Sequence, residues 1–221
     1  FGLFQFASFT VPNPDSGYTL DDNARALILC SWLVQKKPSK EISQLIDTYF
    51  HFIKKCFQKD GSFINYLSYE NKTSTPQNKS EDLEDAHARA IWALAEVMQN
   101  QKIPAELRKE ATEIFLRAFT KSSQLTHIRA KAFAIKAFAL VQEVMLENRE
   151  KTLKILKQYA DDIVDALEEN SSQEWTWFEN RLQYNNGLLP ESLLIAGKTV
   201  KNPDYTSKGL LCLQFLIQKT F

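Results

Sequence analysis

The chain is short of glycine and cysteine and carries no surplus of charge. With only six glycines in 221 residues, no Gly-rich phosphate loop is hidden in it. Its three cysteines, Cys30, Cys56 and Cys212, lie far apart in apolar helical runs. Odd in number and without close spacing, they read as small buried hydrophobes in a reducing compartment, and point to neither a disulfide framework nor a zinc site. No apolar stretch reaches the roughly 18 residues of a membrane-spanning helix, so no membrane partner is expected. Lys plus Arg and Asp plus Glu both number 27, which removes any whole-chain attraction to nucleic acid. Neither a metal-ligand spacing nor a nucleophile elbow occurs, and no cofactor or metal is expected. The chain opens on Phe1 with no basic n-region, so no signal peptide is visible and a cytoplasmic location is favoured.

What the chain does have is a recurring segment. Asp21-Asp22-Asn23-Ala24-Arg25-Ala26-Leu27 returns as Asp85-Ala86-His87-Ala88-Arg89-Ala90-Ile91, and more weakly as His127-Ile128-Arg129-Ala130. Each copy begins a broadly apolar helical run, and each run is followed by a more charged one. Apolar periodicity predicts helices over about 20–36, 40–58, 81–99, 104–121, 125–145, 149–168, 188–200 and 203–219. Ser39 and Ser80 stand as caps and Pro104 at a first helical position. Runs that are apolar nearly all round are buried on more than one side, while the partners between them are one-sided. Eight helices in four hairpins, inner and outer by turns, predict an all-α stack of the (α/α)6-toroid type, with an α-solenoid as the rival. The whole of 1–221 reads as a single domain.

Two long non-helical segments precede inner helices and so emerge on one face, where loops on a rigid scaffold build sites. The first contains Asp60-Gly61, a turn signal, followed by a β-like run through Tyr66 and Tyr69 that predicts a short hairpin arm. The second runs from Glu174 through Trp175, Trp177, Glu179, Tyr184 and Asn185. Aromatic rings beside carboxylates and amides suit a sugar, whose C–H faces lie on rings while its hydroxyls need hydrogen bonds. Acids gather at the inner-helix starts: Asp21, Asp22, Glu81, Asp82, Glu84 and Asp85. Each has a structural role open to it, through the helix dipole or an i, i+4 pair such as Asp21/Arg25 or Asp85/Arg89. Brought together on one face, they also meet the need of glycosidic bond cleavage for paired carboxylates. Asn23, His87 and His127 share one repeat position, which predicts a hydrogen-bonding role in each hairpin.

Gly17 to Leu27, Asp60-Gly61-Ser62-Phe63 with Asn65 and Tyr69, Ser80-Glu81-Asp82 through Ala90, and Trp175 to Glu179 together resemble one family. It is a group of uncharacterised α/α-toroid domains of the six-hairpin glycosidase-like superfamily, some joined to glycosyltransferase or mannoside-phosphorylase-type domains. The resemblance covers most of the chain and implies an (α/α)6 toroid with carbohydrate chemistry. Where that family has Tyr-Asp-Asn-Ala-Arg-Leu-Pro, this chain has Tyr184-Asn185-Asn186-Gly187-Leu188-Leu189-Pro190, lacking an acid and an arginine. Four hairpins where a closed ring has six imply a partial or open toroid, or a fragment of a larger ring.

The expected function is therefore a glycoside hydrolase-like domain acting on an oligosaccharide by carboxylate acid/base chemistry. Asp22, Asp85 and Glu179 are the candidate catalytic groups. Trp175, Trp177, Tyr66 and Tyr69 would be sugar platforms, with Tyr184 and Asn185 as further substrate contacts. Asn23, Arg25, His87 and Arg89 would orient the acids. The alternatives are a non-catalytic glycan-binding or scaffold module beside a glycosyltransferase domain, and a protein-binding solenoid.

Overall fold

A computed structural model describes residues 1–73 and 75–220. The described residues are all-helical apart from a few two-residue strands. The chain divides into two compact units, Phe1–Leu125 and Thr126–Phe221.

The first unit holds two hairpins. Helix α1 (Leu20–Lys36) packs on α2 (Lys40–Cys56), and α4 (Glu84–Gln99) packs on α5 (Ala105–Ser122). The inner helices α1 and α4 also pack on each other. Every residue of α4 from Ala86 to Met98 is buried, as its all-round apolarity predicts. In contrast α2 buries one stripe, Ile46, Tyr49, Phe50, Phe52, Ile53 and Cys56. Leu45, one residue before this stripe, is exposed, so the buried face is turned toward Phe50. Ser39 caps α2 as expected, accepting from the Ile42 N–H at 3.2 Å.

The predicted start of α4 was three residues early. Ser80 ends a single turn, α3 (Gln77–Ser80), in place of capping the helix. The chain then breaks at Asp82, one residue before the N-cap Leu83, and its carboxylate accepts the Glu84 N–H, the first of α4, at 2.8 Å. Pro104 likewise stands one residue before the first turn of α5.

Ahead of α1 lie strands β1 (Ala7–Ser8), β2 (Val11–Pro12) and β3 (Tyr18–Thr19), and β4 (Tyr66–Leu67) follows α2. The expected hairpin arm forms where Phe57 pairs with Phe63 around Gly61. Gly61 has φ +86°, and a Cβ there would stand 2.6 Å from the Arg117 carbonyl oxygen. The chain then runs back to α1, β4 pairing antiparallel with β3. Strand β1 pairs separately with β2.

The second unit repeats the plan. Inner helices α6 (Ile128–Val141) and α8 (Leu188–Val200) pack together, each on its outer partner, α7 (Arg149–Asn170) and α9 (Pro203–Thr220). Helix α7 buries Thr152, Ile155, Leu156, Tyr159, Ala160, Ile163, Val164 and Leu167, a single helical face. All three cysteines are free and buried. Burial pushes the Cys212 thiol up to about 12 and those of Cys30 and Cys56 up as well, so none is a thiolate nucleophile at neutral pH. Among the described residues no helix is long and apolar enough to cross a membrane.

Candidate functional site

In the first unit an open cleft of about 470 Å³ lies at the start of α4. Its wall includes the acids Glu81, Asp82 and Glu84, the carboxamides Asn78 and Gln124, Lys121, and the rings of Phe63 and His87. This volume lies within the range of small-molecule sites.

The wall is built by one side chain in particular. Asn78, on the turn α3, accepts the N–H groups of Asn65 and Tyr66 at 3.0 and 2.9 Å. Its amide donates to the carbonyls of Tyr66 and Thr73 at 2.7 and 3.0 Å. Asn78 thus pairs with β4 as a neighbouring strand would, and satisfies backbone groups that a loop would leave open. Asn65 passes the connection on, its carbonyl accepting the Leu20 N–H at 2.7 Å and its carboxamide the Asp21 N–H at 3.2 Å. The start of α1 and the mouth of the cleft are one hydrogen-bonded assembly.

Across this frame Tyr66 donates its hydroxyl to Glu81. Burial first, and then that carboxylate, raise the Tyr66 pKa, so the phenol keeps its proton and stays the donor. His87 forms the floor, 6% exposed. Its ring meets Phe63 edge-on at 5.2 Å and its Nε2 lies 2.9 Å from Ser122 Oγ on α5. Ser122 donates to the Ala118 carbonyl at 2.9 Å. The network therefore assigns the His87 proton to Nε2 and leaves a lone pair on Nδ1. Burial depresses the His87 pKa to about 4, against a smaller upward pull from Glu84.

The residues expected at the site fall into three places. His87 lines the cleft, Tyr66 reaches its wall through the hydroxyl bonded to Glu81, and Asp85 follows the cleft's acids in the first turn of α4, half-buried. Arg89, one turn on, is buried. Tyr69 is exposed and stacks on Phe4 at 6.1 Å.

A second group closes the start of α1. Asp22 accepts the Thr19 hydroxyl at 2.6 Å, and Arg25 lies 2.6 Å from Asp21 and 3.3 Å from Asp22. Asn23 is fully buried. It donates to the carbonyls of Thr19 and Leu3 at 2.7 and 3.3 Å and accepts the Leu3 N–H at 2.9 Å. The hydrogen-bonding role expected for Asn23 and His87 is met at both positions, with different partners.

A third group lies in the second unit. Glu179 takes a two-pronged ion pair from Arg129 at 2.8 and 2.6 Å, and a further bond from Gln183 at 2.6 Å. Trp175 donates its indole N–H to the Glu179 carbonyl at 2.6 Å. The Arg129 guanidinium also covers the Tyr184 ring at 4.6 Å and donates to the Tyr184 carbonyl at 2.8 Å. Asn185 beside it takes the left-handed conformation, φ +50°, which asparagine tolerates better than most residues. Trp177 is wholly buried between Phe178 and Phe215. It is a core ring here, not a platform open to a sugar. Glu179 and Asp22 are both engaged by arginine.

Sequence reasoning read Glu81, Asp82 and Glu84 as helix-start acids and named Asp22, Asp85 and Glu179 as the catalytic candidates. It missed Asn78, Lys121, Ser122 and Gln124. An asparagine in a Pro-flanked polar loop was the available signal for Asn78. Among the described residues no cluster of His, Cys, Asp and Glu could hold a metal ion. No protein-family model matches the chain, and no curated protein matches it.

Proposed function

We propose that this chain is a carbohydrate-active, glycoside hydrolase-like domain of a toroid-like hairpin stack, taking an oligosaccharide in the cleft at the start of α4. The observation that carries this reading is the lining of that cleft. Carboxylates, carboxamides and a hydroxyl surround an open space of about 470 Å³ with an aromatic wall. A sugar ring presents just that demand, many hydroxyls around an apolar face. In this reading Glu81 and Glu84 share acid and base work on a glycosidic bond, with Asp85 next to them in the chain. Tyr66 orients Glu81 through its hydroxyl. Asp22 and Glu179 serve the scaffold, because each is already held by an arginine.

The test is mass spectrometry of an oligosaccharide panel incubated with the protein, with and without phosphate. New shorter sugars are expected from the native protein and from Asp22→Asn, and none from the Glu81→Gln/Glu84→Gln double variant. Turnover undiminished in that double variant would place the chemistry elsewhere. A second reading, a glycan-binding module beside a glycosyltransferase domain, is favoured by the ion-paired state of Asp22 and Glu179. Glycan binding without any new product would select it.

A further inference from the structure

Asn186-Gly187 is the one Asn-Gly step in the sequence, and it stands directly before α8. A glycine after asparagine puts no Cβ between its own backbone nitrogen and the asparagine carboxamide. Two further steps come close to this arrangement, Asp60-Gly61 and Asn170-Ser171. In both of these the backbone nitrogen is tied down. The Gly61 N–H donates to the Gln58 carbonyl at 3.2 Å, and the Ser171 N–H to the Leu167 carbonyl at 3.0 Å. The Gly187 N–H has no hydrogen-bond partner among the described residues, because it is one of the orphan donors ahead of a first helical turn. Gly187 is also exposed, and a Cβ built on it would meet nothing within 4 Å. The Asn186 side chain lies in an exposed turn, accepting the Gln183 N–H at 3.1 Å and donating to the Gln183 carbonyl at 3.2 Å. Water replaces such exposed bonds at little net cost.

From this we infer that Asn186 is a site of spontaneous, irreversible modification, which deamidates in the folded protein ahead of every other asparagine. Solvent base takes the Gly187 amide proton, and the nitrogen attacks Cγ of Asn186. A bond from that nitrogen to Cγ forms as the Cγ–Nδ2 bond breaks, and the side-chain nitrogen leaves as ammonia. Water then opens the cyclic imide, at Cγ to give aspartate or at the backbone carbonyl to give isoaspartate. The positive end of α8 favours negative charge on the reacting nitrogen and on the product. The product carboxylate can no longer donate to the Gln183 carbonyl, and isoaspartate adds a methylene to the backbone just ahead of the helix. Gln183 in turn donates to Glu179, so the change loosens the end of the loop that Arg129 clamps.

The test is prolonged incubation of the intact protein at mildly alkaline pH, followed by peptide mass mapping with chromatographic separation of isoaspartate. The native protein is expected to gain an acidic form that maps to position 186, faster as the pH rises. Gly187→Ala has room for its Cβ and a φ of −60° that suits any residue. It should keep the native circular dichroism and age several-fold more slowly. Asn186→Gln should lose the acidic form. Asp60 and Asn170 are expected to persist in the fold, with isoaspartate appearing at Asp60 once urea frees the Gly61 N–H. Asn186 intact while another asparagine deamidates would overturn the inference. So would equal ageing of the native protein and Gly187→Ala, or loss of Asn186 only in urea.

Discussion

At the start of α1, Arg25 turns back onto Asp21 and Asp22, and Asn23 fastens the Leu3 backbone over the helix. At the start of α4, the same register places Arg89 in the interior and turns His87 away toward Ser122 of α5, and the acids ahead of it line a cleft. Two copies of one motif have diverged in what covers them. At α1 the covering piece is the N-terminal segment, brought so close that a Cβ on Gly2 would stand 2.6 Å from the Asn23 carboxamide. The third copy, Arg129 at the start of α6, is buried as Arg89 is and spends its guanidinium on Glu179. The arginine is common to all three, and its burial decides whether it closes a surface, supports a core or clamps a loop.

The largest effect separating these copies is expected at Arg129. Arg129→Met would leave the Glu179 carboxylate, largely buried, without its charged partner and with only the Gln183 amide beside it. Removing one member of such a pair costs about 3–5 kcal/mol, visible as a large fall in the urea midpoint. A midpoint within error of the native protein's would mean that the clamp adds nothing to stability.

The next effect belongs to His87. Its pKa is near 4 in the fold and 6.5 as the ordinary value, so the unfolded chain binds the proton more readily. Stability is then full above about pH 6.5 and falls as pH drops toward 4, by up to about 3 kcal/mol for a shift of this size. Urea titrations between pH 4.5 and 7.5 measure the slope, and His87→Gln should flatten it. Asn23→Ala ranks third. It leaves Leu3 without its side-chain partner, at about 1–3 kcal/mol, and faster hydrogen exchange at the Leu3 amide is the readout.

The helices were legible because burial writes itself into periodicity. The all-round apolar run of α4 and the single face of α7 each needed only their own residues to be recognised. The start of α4 was not, because a serine that could cap a helix instead ended the turn before it. Asp82 accepts the first N–H of the helix from a loop that Asn78 holds against β4. The site was half legible. Repetition showed that Arg25, Arg89 and Arg129 correspond, but not that neighbours distant in sequence expose the first and bury the others. Trp177 read as a sugar platform from the acids and amides beside it. Its burial comes from Phe215, on a helix that the loop's own sequence does not mention.

The smallest expected effect tests the closed copy. Arg25 is 52% exposed and Asp21 24%, an i, i+4 pair. Coulomb attraction at such a surface is screened by water and salt, and ordering two side chains offsets part of it. Arg25→Ala should therefore cost no more than about 0.5 kcal/mol, and Asp21→Asn no more than that. If the pair only neutralises helix-start acids, raising the salt should erase the difference from the native protein. A loss several times larger that persists in high salt would have another origin. It would mean that Arg25 holds Asp22 against Thr19, and so fixes the β3 end on which β4 and the cleft wall depend. In that case the closed copy would be a support for the open one.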